Sequence, residues 1–360
     1  MQSTDRPEKR RRDTRFGPFT VTLAQIGLAC LLAIGAAGAA RADDQPKLVV
    51  TYWQQATPSP ETILATQPDL QKSIPAKLTY HAITSGPAAL AAMKAGAYDF
   101  VGGVGNPPVL SAIANHTDMK IVWAQYYDYA GLALRNDIAI PDGLVGKTIG
   151  EQIGSSEAFS FYGWLKNRNL LGKVKLVNLT PPAMMAAYKS GAIAGGWVSQ
   201  PWPNQMAAID GKLVVTSAAM AKEGYPGVNV VVAKASLVKD HPEVVQAYVC
   251  AMQKATELVA GPNSTDVLNK AGAYSGGKPD SDDVVKLGKD WPYWPIADQM
   301  GANGIGTVAD PGSGIVAKVL YQTGQWMHDQ GTIANPPSEA DIAGYIEPKF
   351  AQAVVDGHCK

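Results

Sequence analysis

Cysteine and histidine are scarce in this chain of 360 residues, with three of the first and five of the second. His81, His116, His241, His328 and His358 stand singly, without the short spacings by which a chain brackets a metal ion. No serine sits in the glycine-flanked turn that exposes a hydrolytic nucleophile, so neither metal-dependent nor serine-based catalysis finds a constellation here. Net charge is also lacking. Lys+Arg and Asp+Glu balance at 31 each, and seven of the basic residues fall within the first 42 positions against three acidic ones. The remainder is mildly acidic, which excludes the basic face that a nucleic-acid partner requires.

Long apolar runs are missing except at the start. Lys9, Arg10, Arg11, Arg12 and Arg15 precede an apolar core from Val21 to Ala40, and the small-residue site Ala40-Arg41-Ala42 follows. This order reads as a secretory signal peptide over residues 1–42, with the mature chain starting near Asp43. A segment of this length could also anchor in a bilayer, but Gly and Ala fill its second half and the cleavage pattern follows it. Asp13-Thr14 after the paired arginines does not support twin-arginine export. Cys30 lies inside the apolar core, where lipidation is disfavoured. The two cysteines that remain, Cys250 and Cys359, suit a disulfide in an oxidising compartment, and a buried Cys250 with a free tail thiol fits the sequence equally well.

What is present is punctuation. Val177 to Trp202 reads VNLTPPAMMAAYKSGAIAGGWVSQPW. Thr180-Pro181 starts a helix, Gly191 ends it in a left-handed conformation, a strand follows, and Ser199-Gln200-Pro201 starts the next helix. Ninety-five residues earlier, Ala91 to Ala97 (AAMKAGA) echoes Ala186 to Ala192 (AAYKSGA), and it too leads through a strand into a proline start, Asn106-Pro107. Two copies imply two similar lobes. In chain order, strands are expected at 47–53, 78–83, 98–101 and 121–127, with Gly102 to Gly105 as a loop. Crossing strands are expected at 132–135 and 228–233, and helices dominate from His241 onward. Strand–helix alternation in two blocks gives an α/β fold with parallel or mixed sheets.

LVGKTIG at Leu144–Gly150, GSS at Gly154–Ser156, the Val177–Val198 segment and KDHPEVVQAYV at Lys239–Val249 resemble the periplasmic substrate-binding proteins of ABC importers. Within these they resemble the taurine, aliphatic-sulfonate and nitrate branch, taurine-binding proteins most of all. The resemblance implies a two-lobed type II binding-protein fold, with the second lobe (132–231) inserted into the first (43–131 and 232–360) and a hinge of two strands. It further implies a periplasmic monomer without cofactor, a small anionic organosulfur ligand between the lobes, and a membrane permease with its ATPase as partners. Nitrate or another small anion is the alternative cargo. Thiamine-pyrimidine-synthase-like enzymes share the fold, but they carry a cysteine-rich motif that is absent here. A receptor's sensing module would need a signalling segment, and 360 residues hold none.

A sulfonate stays ionised and asks for donors and positive potential, both of which helix starts supply. Ser85-Gly86-Pro87, Asn106-Pro107, Gly154-Ser155-Ser156 and Ser199-Gln200-Pro201 are four such starts at strand exits, where open α/β sheets bind ligands. Singly each is an ordinary cap. As a set they are the expected site, with Trp53, Gln54, Ser85, Gly86, Asn106, Ser155, Ser156, Ser199 and Asn229 as its residues. Tyr52, Trp53 and Trp197 are expected to wall an apolar spacer, while Trp202 and the Trp291–Trp294 run are expected in the core. Asn229 and Ser199 fall where taurine-binding relatives carry an acid and an aromatic. Losing that acid removes a charge-assisted contact of roughly 1.5 to 3 kcal/mol, unless Glu157 or Asp128 replaces it.

Overall fold

The computed structural model describes residues 45–54, 57–277 and 282–359. The expected signal peptide lies outside the described residues. Among the described residues ten strands form two sheets: β1 (Lys47–Trp53), β2 (Lys77–Ile83), β3 (Phe100–Gly105), β4 (Met119–Tyr127), β5 (Ala130–Arg135), β6 (Thr148–Glu151), β7 (Lys175–Asn178), β8 (Gly195–Ser199), β9 (Gly211–Thr216) and β10 (Val228–Lys234). The first sheet has the order β2-β1-β3-β10-β4 and the second β7-β6-β8-β5-β9.

The two orders are the same pattern written twice. In each, three strands run parallel, and the fourth place is taken by an antiparallel strand, β10 in the first sheet and β5 in the second. The sequence echo occupies equivalent places in this pattern. Its first copy ends the helix Gly86–Lys94 ahead of β3, and its second ends the helix Pro181–Lys189 ahead of β8. Gly96 and Gly191 both hold positive φ, 88° and 79°, as the left-handed helix exit requires.

Alternation along the strands sets the cores. Leu132 and Leu134 of β5 turn to one face of the second sheet with Phe161, Trp164 and Trp197, while Ala133 turns to the other with Met184, Tyr188 and Met206. The first sheet packs Val50, Phe100, Ile121 and Val231 against the C-terminal helices Pro242–Leu258, Ile315–Asp329 and Lys349–Val355. Phe100 stacks on Tyr248 there, with ring centroids 4.0 Å apart. The tail is tied to this layer by a Cys250–Cys359 disulfide with a Cα–Cα distance of 5.5 Å.

Three expectations need correcting. Gly102 to Gly105 belong to β3 rather than to a loop, because the strand is buried throughout its length and small residues let its neighbours approach. Residues 132–135 and 228–233 do not cross between lobes; each lies wholly within one sheet. The chain passes from the first sheet to the second at Asp128-Tyr129, and it returns over 223–227 after the helix Ser217–Lys222. Strand β9 had no counterpart in the sequence reading.

Candidate functional site

The carboxyl ends of β1, β2 and β3 face those of β6, β7 and β8 across a cavity of about 680 Å³. Its walls are the residues that leave those strands: Trp53 and Gln54, Thr84 to Pro87, Gly105, Gln152 to Glu157, Thr180 to Pro182, and Ser199 and Gln200. Opposing strand ends in an α/β fold put helix starts and loop amides into one space, which is where such folds take up ligands.

Of the nine residues expected at the site, eight line this cavity: Trp53, Gln54, Ser85, Gly86, Ser155, Ser156, Ser199 and Asn229. Asn106 does not. It is buried within the first lobe, where its side-chain amide donates to Thr323 Oγ1 (2.7 Å) and its Oδ1 accepts from the Val228 amide (3.3 Å). The helix Asn106–Ala114 is capped from Gly105 without a side-chain bond. Ser199 likewise caps nothing, since it ends β8 and the helix Trp202–Asp210 begins after the cis Gln200–Pro201 bond.

The two remaining starts are true side-chain caps. Ser155 Oγ accepts from the Ala158 amide (3.1 Å) and donates to the Gln152 carbonyl (2.7 Å), so its hydroxyl is committed to the start of the helix Ser156–Asn167. Ser85 Oγ accepts from Ala88 at a longer 3.4 Å, and the helix Gly86–Lys94 carries no acid in its first turn. The positive end of that helix therefore faces the cavity uncompensated.

Aromatic placement differs from expectation. Trp53 borders the cavity, held by its Nε1–H donating to the Gly103 carbonyl (2.8 Å). Tyr52 packs against Tyr274 instead, and Trp197 is fully buried, stacked on Phe161. Trp202 and Trp291, read as core, both line the cavity, though Trp291 is also buried, meeting Tyr126 and Tyr129 edge to face, and Trp294 lies in the core of the first lobe as expected. Nothing local marks Trp291 for this place, because the fold brings it there from 163 residues beyond Asp128.

Two carboxylates complete the lining, Asp128 and Glu157, and among the described lining residues there is no Lys, Arg, His or Cys. Asp128 Oδ1 accepts from Ser156 Oγ (2.8 Å) and Asn229 Nδ2 (2.6 Å), and its Oδ2 is buried without a partner. Burial and the nearby Glu157 charge push its carboxyl up to about 7, against the pull of those two donors. Burial also raises Glu157, opposed by its hydrogen bond with Ser155. Sequence reasoning missed a third acid, Glu61, which is fully buried, receives the Gln125 amide at 2.5 Å and is raised by desolvation.

Fold and site together define a two-lobed α/β protein with a solute-sized cleft between the lobes. The chain belongs to the NMT1-like family, whose model matches residues 41–271. It is 26% identical over 311 residues to the taurine-binding periplasmic protein of Escherichia coli K12, an alignment covering 84% of this chain and 92% of that one. The fold is that of the periplasmic aliphatic sulphonate binding protein SsuA from Escherichia coli, with a TM-score of 0.67, 16% identity, and 84% and 92% of the two chains covered. It is also shared by the desulfurization enzyme DSZB, with a TM-score of 0.57, 16% identity, and 87% and 100% coverage. The fold thus serves both binding and catalysis, and the residues of the cleft must decide between them.

Proposed function

We propose that this protein is a periplasmic solute-binding component of an ABC importer, taking up a small alkanesulfonate of the taurine type and presenting it to a membrane permease. One observation carries the reading: the cleft joins an uncompensated helix start at Ser85-Gly86 to a carboxylate at Glu157, with aromatic rings between and no cationic side chain among the described lining residues. That polarity fits a zwitterion. The sulfonate takes the amide and hydroxyl donors at Ser85-Gly86, the ethylene spacer lies against Trp53 and Trp202, and the ammonium turns toward the acid. A site for a plain anion would not place two carboxylates, one buried and one half-buried, in its lining with no cationic side chain among the described lining residues.

Binding rather than turnover is supported by what the lining holds. Its described side chains include no thiol or imidazole, and its hydroxyls at Ser155 and Ser156 are already engaged as cap and as donor to Asp128. The similarity to a periplasmic relative over most of both chains supports the location.

Melting curves with taurine, ethanesulfonate, nitrate, sulfate and short dicarboxylates test the proposal. A ligand at a thousand times its dissociation constant adds about 4.1 kcal/mol, which for a domain pair of this size raises Tm by several degrees. Taurine is expected to give the largest rise. A response to nitrate or dicarboxylates alone would sink the sulfonate assignment, and consumption of any ligand would sink the binding role.

A further inference from the structure

We infer that the two cleft carboxylates have separate tasks: Glu157 receives the ligand's ammonium group, while Asp128 is a positioning residue that ties the two lobes together and that the ligand does not contact. The first half rests on the sulfonate reading above; the second does not. Asp128 stands in the first crossing between the sheets, and its N–H donates to the carbonyl of Gly227 in the second crossing (3.0 Å). Its Oδ1 then gathers a donor from each lobe, Ser156 Oγ at the start of a second-lobe helix (2.8 Å) and Asn229 Nδ2 on β10 of the first sheet (2.6 Å). Both crossings and both lobes meet at this one residue, the crossings through its backbone N–H and the lobes through its side chain.

The other oxygen is closed off. Oδ2 has no partner and no contact with solvent, and it lies so near Gly227 that a Cβ there would come within 1.9 Å of it. An ammonium needs an open acceptor, so reaching Asp128 would mean dismantling the tie. Glu157, one residue beyond Ser156, is only half-buried and borders the cavity. With no Lys or Arg among the described lining residues, the cation that offsets its charge in the cleft comes from the ligand. Asn229, at the position where taurine-binding relatives are expected to carry an acid, gives its amide to Asp128 and acts on the ligand only through it.

Titration calorimetry with taurine and with ethanesulfonate, the same sulfonate without the ammonium, separates the roles. Glu157→Gln is expected to weaken taurine roughly tenfold to a hundredfold, the worth of a charge-assisted bond, and to leave ethanesulfonate within about threefold of wild type. Asp128→Ala and the milder Ser156→Ala should weaken both ligands by one common factor and keep their ratio. Small-angle scattering without ligand should show both tie variants expanded relative to wild type. A ratio that collapses in Ser156→Ala or Asp128→Ala but survives Glu157→Gln would overturn the division. If the wild type binds neither sulfonate, the proposed function fails and the Glu157 assignment with it. The tie is then judged by scattering alone, where unchanged dimensions in both variants would refute it.

Discussion

Several acids in and around the cleft are held protonated further up the pH scale than in an unfolded chain, and this has a definite sign. Asp128 and Glu151 are both pushed up to about 7 by burial, and Glu157 and Glu61 are raised by the same cause. Unfolded carboxyls titrate near pH 4, so between about pH 4 and 7 the folded protein binds more protons than the unfolded one. Stability then falls as pH rises through that window and levels above it. Glu223 and Asp341, which are lowered by their hydrogen bonds, act in the opposite direction only at more acidic pH. The unliganded protein should therefore lose Tm between pH 5 and 7.5, and Glu151→Gln should flatten the slope; a wild-type Tm that rises over this range would contradict the assignment. Taurine binding has the reverse dependence, because an ionised Glu157 is the better partner for an ammonium. Its advantage over ethanesulfonate should widen with pH. Much of this was hidden in the sequence. Nothing near Pro60 in the sequence marks Glu61 for burial, and only the fold buries it; Asn106 reads as a cap, yet its partners Thr323 and Val228 lie more than a hundred residues away.

Elements were far more legible than residues. β1 runs from Lys47 to Trp53 as the apolar alternation indicates, and Ser85 and Ser155 cap their helices as their positions indicate. These features are set by local chemistry, which a sequence carries on its face. Crossing points are not, since strand propensity cannot say to which sheet a strand belongs; Leu132–Arg135 and Val228–Ala233 were read correctly as strands and wrongly as bridges. Two predictions belong to this scale. Ser155→Ala removes a cap and should lower stability by about 1 kcal/mol in urea denaturation; no change would mean that the amides of that helix start are satisfied otherwise. Gly105→Ala tests the approach of the lobes. Its φ of −74° admits a side chain, but the added Cβ would lie 2.7 Å from Ser156 Oγ. The variant should fold with near-normal stability and bind ligand more weakly, and unaltered affinity would show that the lobes have slack there.

For the whole molecule, the proposed role requires two states, one open to solute and one closed for delivery. The short crossings at Asp128-Tyr129 and 223–227 are the segments able to absorb such a motion. Scattering with saturating taurine should show compaction, and an unchanged radius would count against closure. The disulfide acts on a different axis. Cys250–Cys359 closes a loop of 109 residues, for which the chain-entropy argument sets an upper value of about 4.7 kcal/mol; Cys359→Ser should cost about 2 to 4 kcal/mol, the typical worth of a disulfide, read as a lower denaturation midpoint with little change in affinity. Equal midpoints would mean that the tail packs as well without its covalent tie.

The place of β10 between β3 and β4 also fixes the order of assembly. The second sheet is drawn from one continuous stretch, β5 to β9, and can pair as soon as that stretch is available. The first sheet cannot: β3 and β4 have no edge to offer each other until Val228–Lys234 arrives between them, more than a hundred residues after β4 ends. As the chain emerges N-terminus first, β1, β2 and β3 can pair among themselves, but the far edge of β3 and the whole of β4 must wait without partners while the later lobe matures. Pairings of such long sequence separation form slowly, so the half of the protein that is made first is finished last.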